Sequence, residues 1–372
     1  MAERMPTDAA GIALAFAEFA TDVAHGSPLY RELSRRAAHE SAVADVLMAA
    51  PPAQRRPVLF LAAVHSLLLG PLRSHPLAAH YPNLSGVPFR AEAGAGDALV
   101  DLVTHHGREL VEIVSTRSTQ TNEVGRCATF LPALSMLAAE VGPLAHLDVG
   151  TSAGLNLLLP RFTYVYEGGS EGTVRIGGDP RVVLPCTVGG GVPVVADRPP
   201  VSWSVGVDAS PIDLADTDAV TWLEACVWPD QTARFTRLVN ALTMAAETGL
   251  DVRHGNALTD TVPAVLEAAQ HGHPVVTTSW VMSYLTLDEQ RSVVTALDGI
   301  GRDLDLSWVL AEAPAHTPGI PVPGSGGHEE ITVLSVIRWR AGRRTVDRLA
   351  TAHPHGATLR WEAGAARSFS RS

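Results

Sequence analysis

The sequence predicts an α/β protein, a helical N-terminal domain followed by a mostly parallel sheet with an antiparallel edge strand. Three observations predict it. Apolar residues recur at helical spacing through the first third, uninterrupted by strand-like alternation. From residue 143 short apolar runs alternate with helical segments, the pattern of βαβ units. The last stretch, EITVLSVIRWRAGRRTVDRLATAHPHGATLRW, alternates residue by residue around an Ala-Gly turn, as antiparallel strands closing a sheet edge do.

The elements follow in chain order. Ile12, Phe16, Phe19 and Val23 mark a first helix, ended by the turn signal HGSPLY. Ser27 is placed to cap the next helix, with Pro28 at its first position. PVLFLAAVHSLLLGPL (57–72) is shorter than a bilayer span and predicts a buried helix. After the loop-rich SHPLAAHYPNLSGVP come two helical stretches, DALVDLVTHHGRELVEIVSTRS and NEVGRCATFLPALSMLAAEVG, the second stopping at Gly142. These define a helical domain over 1–142, leaving 143–372 for the sheet domain.

In that second domain LAHLDVG, VSWSVGVDA, LDVRHGNAL, HPVVTTSW and LSWVLAEAP predict five strands. The segments between them are helical in pattern, including AGLNLLLPRF directly after the first strand. Residues 163–200, dense in Gly, Pro and Val, predict an inserted β-hairpin or flap beside the ligand crevice.

Composition narrows the function classes. Hydrophobic residues make up 46%, enough for a sizeable core. The net charge of −11 disfavours nucleic acid and anionic membrane as partners and points to a small-molecule substrate. Cys127, Cys186 and Cys226 form no close pair, which disfavours a disulfide framework or a cysteine zinc site and fits a reducing cytoplasm. The N-terminus lacks a basic region ahead of its apolar run and is a poor signal peptide.

The chemistry centres on HLDVGTSAGLN (146–156). Its GTSAG fits the nucleophile elbow of a serine hydrolase, with Ser152 attacking, Asp305 or Glu312 as acid and His316, His328, His353 or His355 as base. That reading lacks an upstream oxyanion segment on a loop after a strand, since the His-Gly of THHGREL lies inside a helical pattern and that of HGSPLY in a turn between helices. The same residues also read as D-x-G-x-S-x-G, a turn that cradles a nucleotide-like cofactor. The parts this second reading needs occur in order: Asp148 with Gly150 and Gly154, Asp208 ending the second strand, and Asn256 ending the third. A nicotinamide G-x-G-x-x-G is weaker, because Ser152 and Leu155 stand where glycines belong.

This series resembles the Rossmann-like class of S-adenosylmethionine-dependent methyltransferases. The resemblance implies that Asp148, Gly150, Ser152 and Gly154 hold the methionine part of the cofactor. It likewise implies that Asp208 holds the ribose hydroxyls, that Asn256 and Ala257 face the adenine, and that the fourth strand leads to the substrate side at Thr278, Ser279 and Trp280, with Tyr284 one turn on; Ser279 counts with the cofactor-binding residues. Two departures stand out: Ser152 replaces the usual middle glycine, and Asp208 follows Asp148 at 60 residues (208 − 148) rather than about 20. The insertion accounts for the second. The first is inexpensive if residue 152 keeps φ below zero. More narrowly, GSPLY (26–30), STQTNEVGR (118–126), DVGTSAGLNLLLPRF (148–162), VGVDASPIDL (205–214) and WPDQTARFTRL (228–238) resemble an uncharacterised bacterial family, a domain of unknown function with a helical N-terminal part and a methyltransferase-like core.

Other polar groups are weighed beside these. Gln120 to Glu123 with Arg126 exceed what a helix cap needs, so Glu123 and Arg126 join Tyr284 as candidates for substrate orientation or proton removal. WPDQTAR (228–234) is accounted for as a helix start. His105 and His106 lack metal spacing, and Glu312, His316, His328, Glu329 and Glu330 fall on or beside a Gly/Pro-rich loop. No metal site is expected. Together these residues predict an S-adenosylmethionine-dependent methyltransferase acting on a small molecule. A serine hydrolase or a non-catalytic cofactor binder is the alternative.

Overall fold

The computed structural model describes residues 6–23, 26–91, 94–169, 172–193, 198–317 and 331–362. The chain divides into two compact units, Met1–Thr121 with Asp213–Val239, and Asn122–Ile212 with Asn240–Ser372.

The first unit is helical: α1 (Ala9–Glu18), α2 (Pro28–Ala37), α3 (Ser41–Met48), α4 (Pro57–Leu69), α5 (Pro82–Ser85) and α6 (Ala95–Thr116). Ser27 caps α2 as the sequence predicts, accepting from Tyr30 N at 3.2 Å, and Pro28 opens the helix. α4 is apolar around its circumference and correspondingly buried, with Phe60, Leu61 and Leu68 fully enclosed. α7 (Cys127–Val141) belongs to the second unit, whereas α8 (Thr217–Ala225) and the first half of α9 (Thr232–Thr248) return to the helical one.

The sequence-based boundary at 142 therefore differs from the division at Thr121/Asn122. Burial explains the difference. Every residue of α7 from Cys127 to Ala138 is buried, so strands rather than one helical neighbour must surround it. Trp222 of α8, conversely, completes the apolar core formed by Leu29, Leu33, Phe60 and Leu102. Residues 124–141 are long and apolar enough to cross a membrane by composition, and 72% of that window is buried inside the protein.

The second unit holds one sheet. Its strands are β1 (Leu144–Val149), β2 (Phe162–Gly169), β3 (Gly172–Ile176), β4 (Asp179–Gly189), β5 (Val201–Asp208), β6 (Val252–His254), β7 (His273–Ser279), β8 (Leu306–Glu312), β9 (Thr332–Arg340), β10 (Arg343–Ala352) and β11 (Thr358–Trp361). They lie in the order β3-β2-β4-β11-β10-β9-β8-β7-β1-β5-β6. The run β6-β5-β1-β7-β8 is parallel throughout, and β9 joins it antiparallel. α10 (Thr261–Ala268) packs on β1 and β7, and α11 (Leu287–Ile300) packs on α10, held at its start by a reciprocal Thr286–Glu289 capping box. β1 and β8 are buried on both faces, whereas β4 alternates buried and exposed. α7 packs against β8, β9 and β4 of the same sheet, which requires the sheet to curl around it.

Three expectations are corrected. Residues 163–200 form not a lone hairpin but three strands joined into the sheet. β2 and β3 make the hairpin, then Gly177 and Gly178 carry the chain beneath β2 so that β4 returns along its other side. A Cβ on Gly178 would stand 2.2 Å from Phe162 O, so only glycine passes there. The C-terminal strands do not close an edge: β11 pairs with β4, so the tail bridges the insertion to the parallel core. Finally, AGLNLLLPRF is not an α-helix. Leu155–Arg161 is 3-10 helix, entered from left-handed Gly154 and carrying Pro160, and its leucines are buried.

Candidate functional site

The site lies at the carboxyl edge of the parallel strands. β1 sits between β5 and β7; among the parallel strands the chain passes from β1 to β5 on one side, by way of β2–β4, and later, after β6, to β7 on the other, so the strand order reverses beside β1. Ligands in open α/β sheets bind in the crevice at such a point.

Beyond Val149 the chain turns through Gly150-Thr151-Ser152-Ala153-Gly154. Gly150 (φ 75°), Ser152 (55°) and Gly154 (77°) all adopt the left-handed conformation. A Cβ on Gly150 would stand 2.3 Å from Val281 Cγ2, so this glycine is also sterically required. The expectation of negative φ at Ser152 is corrected. An L-residue there costs about 1–2 kcal/mol, and the surroundings must hold it. Three bonds do so. Ser152 N donates to Asp208 Oδ2 at 2.7 Å, Ile212 N donates to Ser152 O at 3.2 Å, and Asn122 Nδ2 donates to Thr151 O at 2.7 Å. The other oxygen of Asp208 accepts from Ser210 N at 2.8 Å. Asp208 thus acts first as the anchor of the turn.

Beneath the turn lies a buried polar chain. Thr277 Oγ1 donates to Asp148 Oδ1 at 2.6 Å and meets His146 Nε2 at 2.8 Å. The hydroxyl has one proton, already given to Asp148, so His146 donates from Nε2. Asn156 Nδ2 reaches the same carboxylate at 3.2 Å. Burial pushes the Asp148 carboxyl up to about 6, against the opposing hydrogen bonds from Thr277, Thr151 and Asn156. Burial likewise lowers His146 to about 4, which keeps it neutral. Asp148 is 1% exposed, so it supports the turn from below rather than lining the crevice.

The remaining sequence candidates separate. Asn256 and Ala257 follow β6 at the same edge; Asn256 Oδ1 accepts from Leu258 N at 2.8 Å and the residue is exposed. Ser279 ends β7, and its hydroxyl is buried without a hydrogen-bond partner, as is that of Ser152. Arg126 Nε donates to Pro354 O at 2.9 Å and Nη1 to Ser279 O at 3.3 Å, tying the end of β7 to the turn before β11. Glu123 is 4% exposed. One of its oxygens accepts from Gly125 N at 2.9 Å and the other lies 3.6 Å from His355 Nδ1. Tyr284 is 80% exposed on a single 3-10 turn, so it is not gathered into the crevice as expected.

An acid that the sequence offers as a hydrolase partner and as a member of the Glu/His cluster near a Gly/Pro-rich loop proves central. Glu312 ends β8, is fully buried, and accepts from Val281 N and Met282 N at 3.2 Å each. It therefore fixes the segment whose Val281 side chain lies over Gly150. Burial pushes its carboxyl up to about 7, opposed by those hydrogen bonds, one from Thr278 and the Arg126 guanidinium. The signal was present in LSWVLAE, an acid ending an apolar strand just as Asp148 and Asp208 end theirs.

The hydrolase constellation is not assembled among the described residues. Ser152 Oγ has no hydrogen-bond partner. Asp305 precedes β8 at the opposite sheet edge and accepts from Ala341 N. His316 pairs with Gln290, and His353 accepts from His355 N in the turn before β11. His328, Glu329 and Glu330 lie outside the described residues. Among those described, no group of three His, Cys, Asp or Glu has the placement of a metal site. The three cysteines are free.

No curated protein matches the chain. One family does, described as "Uncharacterized protein conserved in bacteria (DUF2332)", over residues 13–361. A match across nearly the whole length covers both the helical unit and the sheet with its glycine turn, and the chain belongs to this DUF2332 family.

Proposed function

We propose that the protein is an S-adenosylmethionine-dependent methyltransferase that acts on a small molecule in the cytoplasm. The observation that carries the reading is the pairing of Ser152 N with Asp208: the glycine turn ending β1 and the acid ending β5 meet where the strand order reverses. Numbered by appearance, β6-β5-β1-β7-β8 is the order 3-2-1-4-5 of doubly wound nucleotide-binding sheets, which supports a Rossmann-like core. The hydroxyls of Ser152 and Ser279, buried and unpartnered at the ends of the two central strands, fit a polar ligand in the crevice.

When bound, S-adenosylmethionine supplies an electrophilic methyl group. The chain's own residues bind and position. Asp208 spends one acceptor site per oxygen on the turn and keeps others for ligand hydroxyls. Gly150 and Gly154 let the backbone approach, with Asn256 and Ala257 bordering the same edge. Glu312, fully buried, supports the site from below by holding Val281 and Met282 over the glycine turn. Glu123 and Arg126 hold the substrate side in place. The net charge of −11 favours a small-molecule substrate over nucleic acid.

Calorimetry with S-adenosylmethionine and its demethylated product tests this. The wild type should bind both, and Asp208→Ala should bind at least about ten-fold more weakly, the loss of a charge-assisted hydrogen bond. Absence of binding by the wild type overturns the reading. Fluorophosphonate labelling at Ser152 would replace it with a hydrolase.

A further inference from the structure

Resting on the methyl-transfer reading, we infer that His355, backed by Glu123, takes the proton from the substrate N–H or O–H at this site. Its place in the fold comes first. Ala352, the last residue of β10, pairs with Thr332, which opens β9, and Val333 pairs with Glu312 at the end of β8. β10 therefore ends at the carboxyl edge of the parallel strands, and the turn His353–Gly356 follows it there, closed by Gly356 N donating to His353 O. Residues 122–126 join that turn to the crevice. Asn122 Nδ2 donates to Thr151 O of the glycine turn, and the Arg126 guanidinium donates both to Ser279 O at the end of β7 and to Pro354 O. A Cβ on Gly356 would overlap Gly125 O, so the two segments lie backbone against backbone and His355 is held in place.

The pair has the arrangement of a base and its orienting acid. His355 Nδ1 and Glu123 Oε2 face each other at 3.6 Å and both atoms are closed to solvent, whereas the His355 side chain as a whole is 36% exposed. A carboxylate only accepts, so Nδ1 carries the proton and Nε2 the lone pair. With Nδ1 turned inward, the exposed edge of the ring is the one that bears Nε2. Such pairs are long without substrate and tighten around it. Burial distinguishes this pair from the other histidine–carboxylate pairs among the described residues. Asp101, beside His75 and His105, and Glu109, beside His106, are more than half exposed, so water screens them, whereas Glu123 is buried. Asp148 and Glu312 are buried acids that brace the crevice without reaching a substrate. As the N–H or O–H bond breaks, its proton passes to Nε2 and its electron pair stays on the substrate atom. That atom takes the methyl group, and the pair of the broken methyl bond remains on sulfur. Glu123 stays ionised and steadies the imidazolium.

A probe that needs neither cofactor nor natural substrate tests the assignment. 5-Nitrobenzisoxazole is a small neutral ring that opens when a base removes its C–H proton: the C–H pair forms the nitrile, the N–O bond breaks and a coloured phenolate leaves. The full-length wild type should open it faster than an equal concentration of free imidazole, and His355→Asn should lose at least about ten-fold of the rate. Glu123→Gln should keep the base but lower the midpoint of the rate–pH profile by about one pH unit, since the imidazolium loses its carboxylate. Glu123→Asp should restore most of that shift. Carbethoxylation of the wild type by diethyl pyrocarbonate, followed by mass spectrometry, should abolish ring opening in step with modification of His355, without any substitution. A wild type no faster than imidazole, a rate unchanged in His355→Asn or after modification of His355, or an unmoved midpoint in Glu123→Gln overturns the assignment. Calorimetry with S-adenosylmethionine decides the underlying reading separately. Binding without ring opening removes His355 alone, and ring opening without binding keeps the base and removes methyl transfer.

Discussion

The carboxylate of Asp208 accepts a hydrogen bond from the backbone N–H of Ser152 at 2.7 Å, so the acid ending β5 holds the left-handed turn that ends β1. One side chain thereby fixes a strained backbone on a neighbouring strand, and consequences for stability follow from that geometry.

Ser152→Gly should stabilise the protein by up to about 1 kcal/mol. Glycine adopts φ 55° without the left-handed penalty, its extra unfolded-state entropy cancels part of the gain, and the serine hydroxyl gives up no partner. Urea denaturation measures it. A loss above about 1 kcal/mol would mean that the hydroxyl has a structural partner.

Asp208→Ala should destabilise by about 2–3 kcal/mol, because the N–H groups of Ser152 and Ser210 both lose a charged acceptor. Asp208→Asn, which retains one carbonyl acceptor, should lose about half as much in the same titration. Equal losses in the two variants would contradict the paired anchoring.

Gly150→Ala should cost about 3 kcal/mol or more, since its Cβ would stand 2.3 Å from Val281 Cγ2 and the backbone is left-handed. Adding Val281→Ala removes the clash but not the backbone penalty. The double variant should therefore recover more than half the loss beyond the cost of Val281→Ala alone, which a double-mutant cycle isolates. Strict additivity would place Val281 elsewhere.

Glu312 makes stability pH-dependent with a definite sign. Its folded-state carboxyl titrates at about 7 against an ordinary 4.5, so between these values the folded protein binds more protons than the unfolded chain. Its contribution is complete below about 4.5 and is lost as pH rises to about 7, on the order of 3 kcal/mol. Wild-type stability relative to Glu312→Gln, measured by urea denaturation from pH 4.5 to 8, should fall by about that amount as pH rises, because the glutamine stays neutral. A difference constant across that range would exclude the raised titration.

His146 and His65 act in the opposite sense. Both are fully buried and held down to about 4, His65 by burial against hydrogen bonds to Ala225 O and Asn83. Below the ordinary histidine value of 6.5 the unfolded chain takes up protons that the folded protein refuses. Stability should therefore fall between pH 6.5 and 4, by up to about 3 kcal/mol per histidine. His146→Gln should flatten that limb of the stability curve, and an unchanged limb would place His146 in contact with water.

Much was legible in the sequence because it rests on local patterns. Period-2 and period-3.6 apolar spacing locates β1, β5, β7 and β8, and Ser27-Pro28 marks the start of α2, without reference to distant residues. The glycine turn and Asp208 were legible for the same reason, as they sit directly at strand ends. Tyr284 was not, because exposure on a one-turn helix depends on how Val281 and Met282 are held by Glu312, 30 residues away.

By itself, then, the sequence determined the helical beginning, the parallel strands and the acids and glycines that end them, all properties of spacing along the chain. Tertiary structure alone decided that α7 lies inside a curled sheet, that the insertion extends that sheet through β11, and that Ser152 stands left-handed against Asp208. Each of these depends on burial and hydrogen bonding between residues tens to hundreds of positions apart, and a local pattern does not encode such pairings.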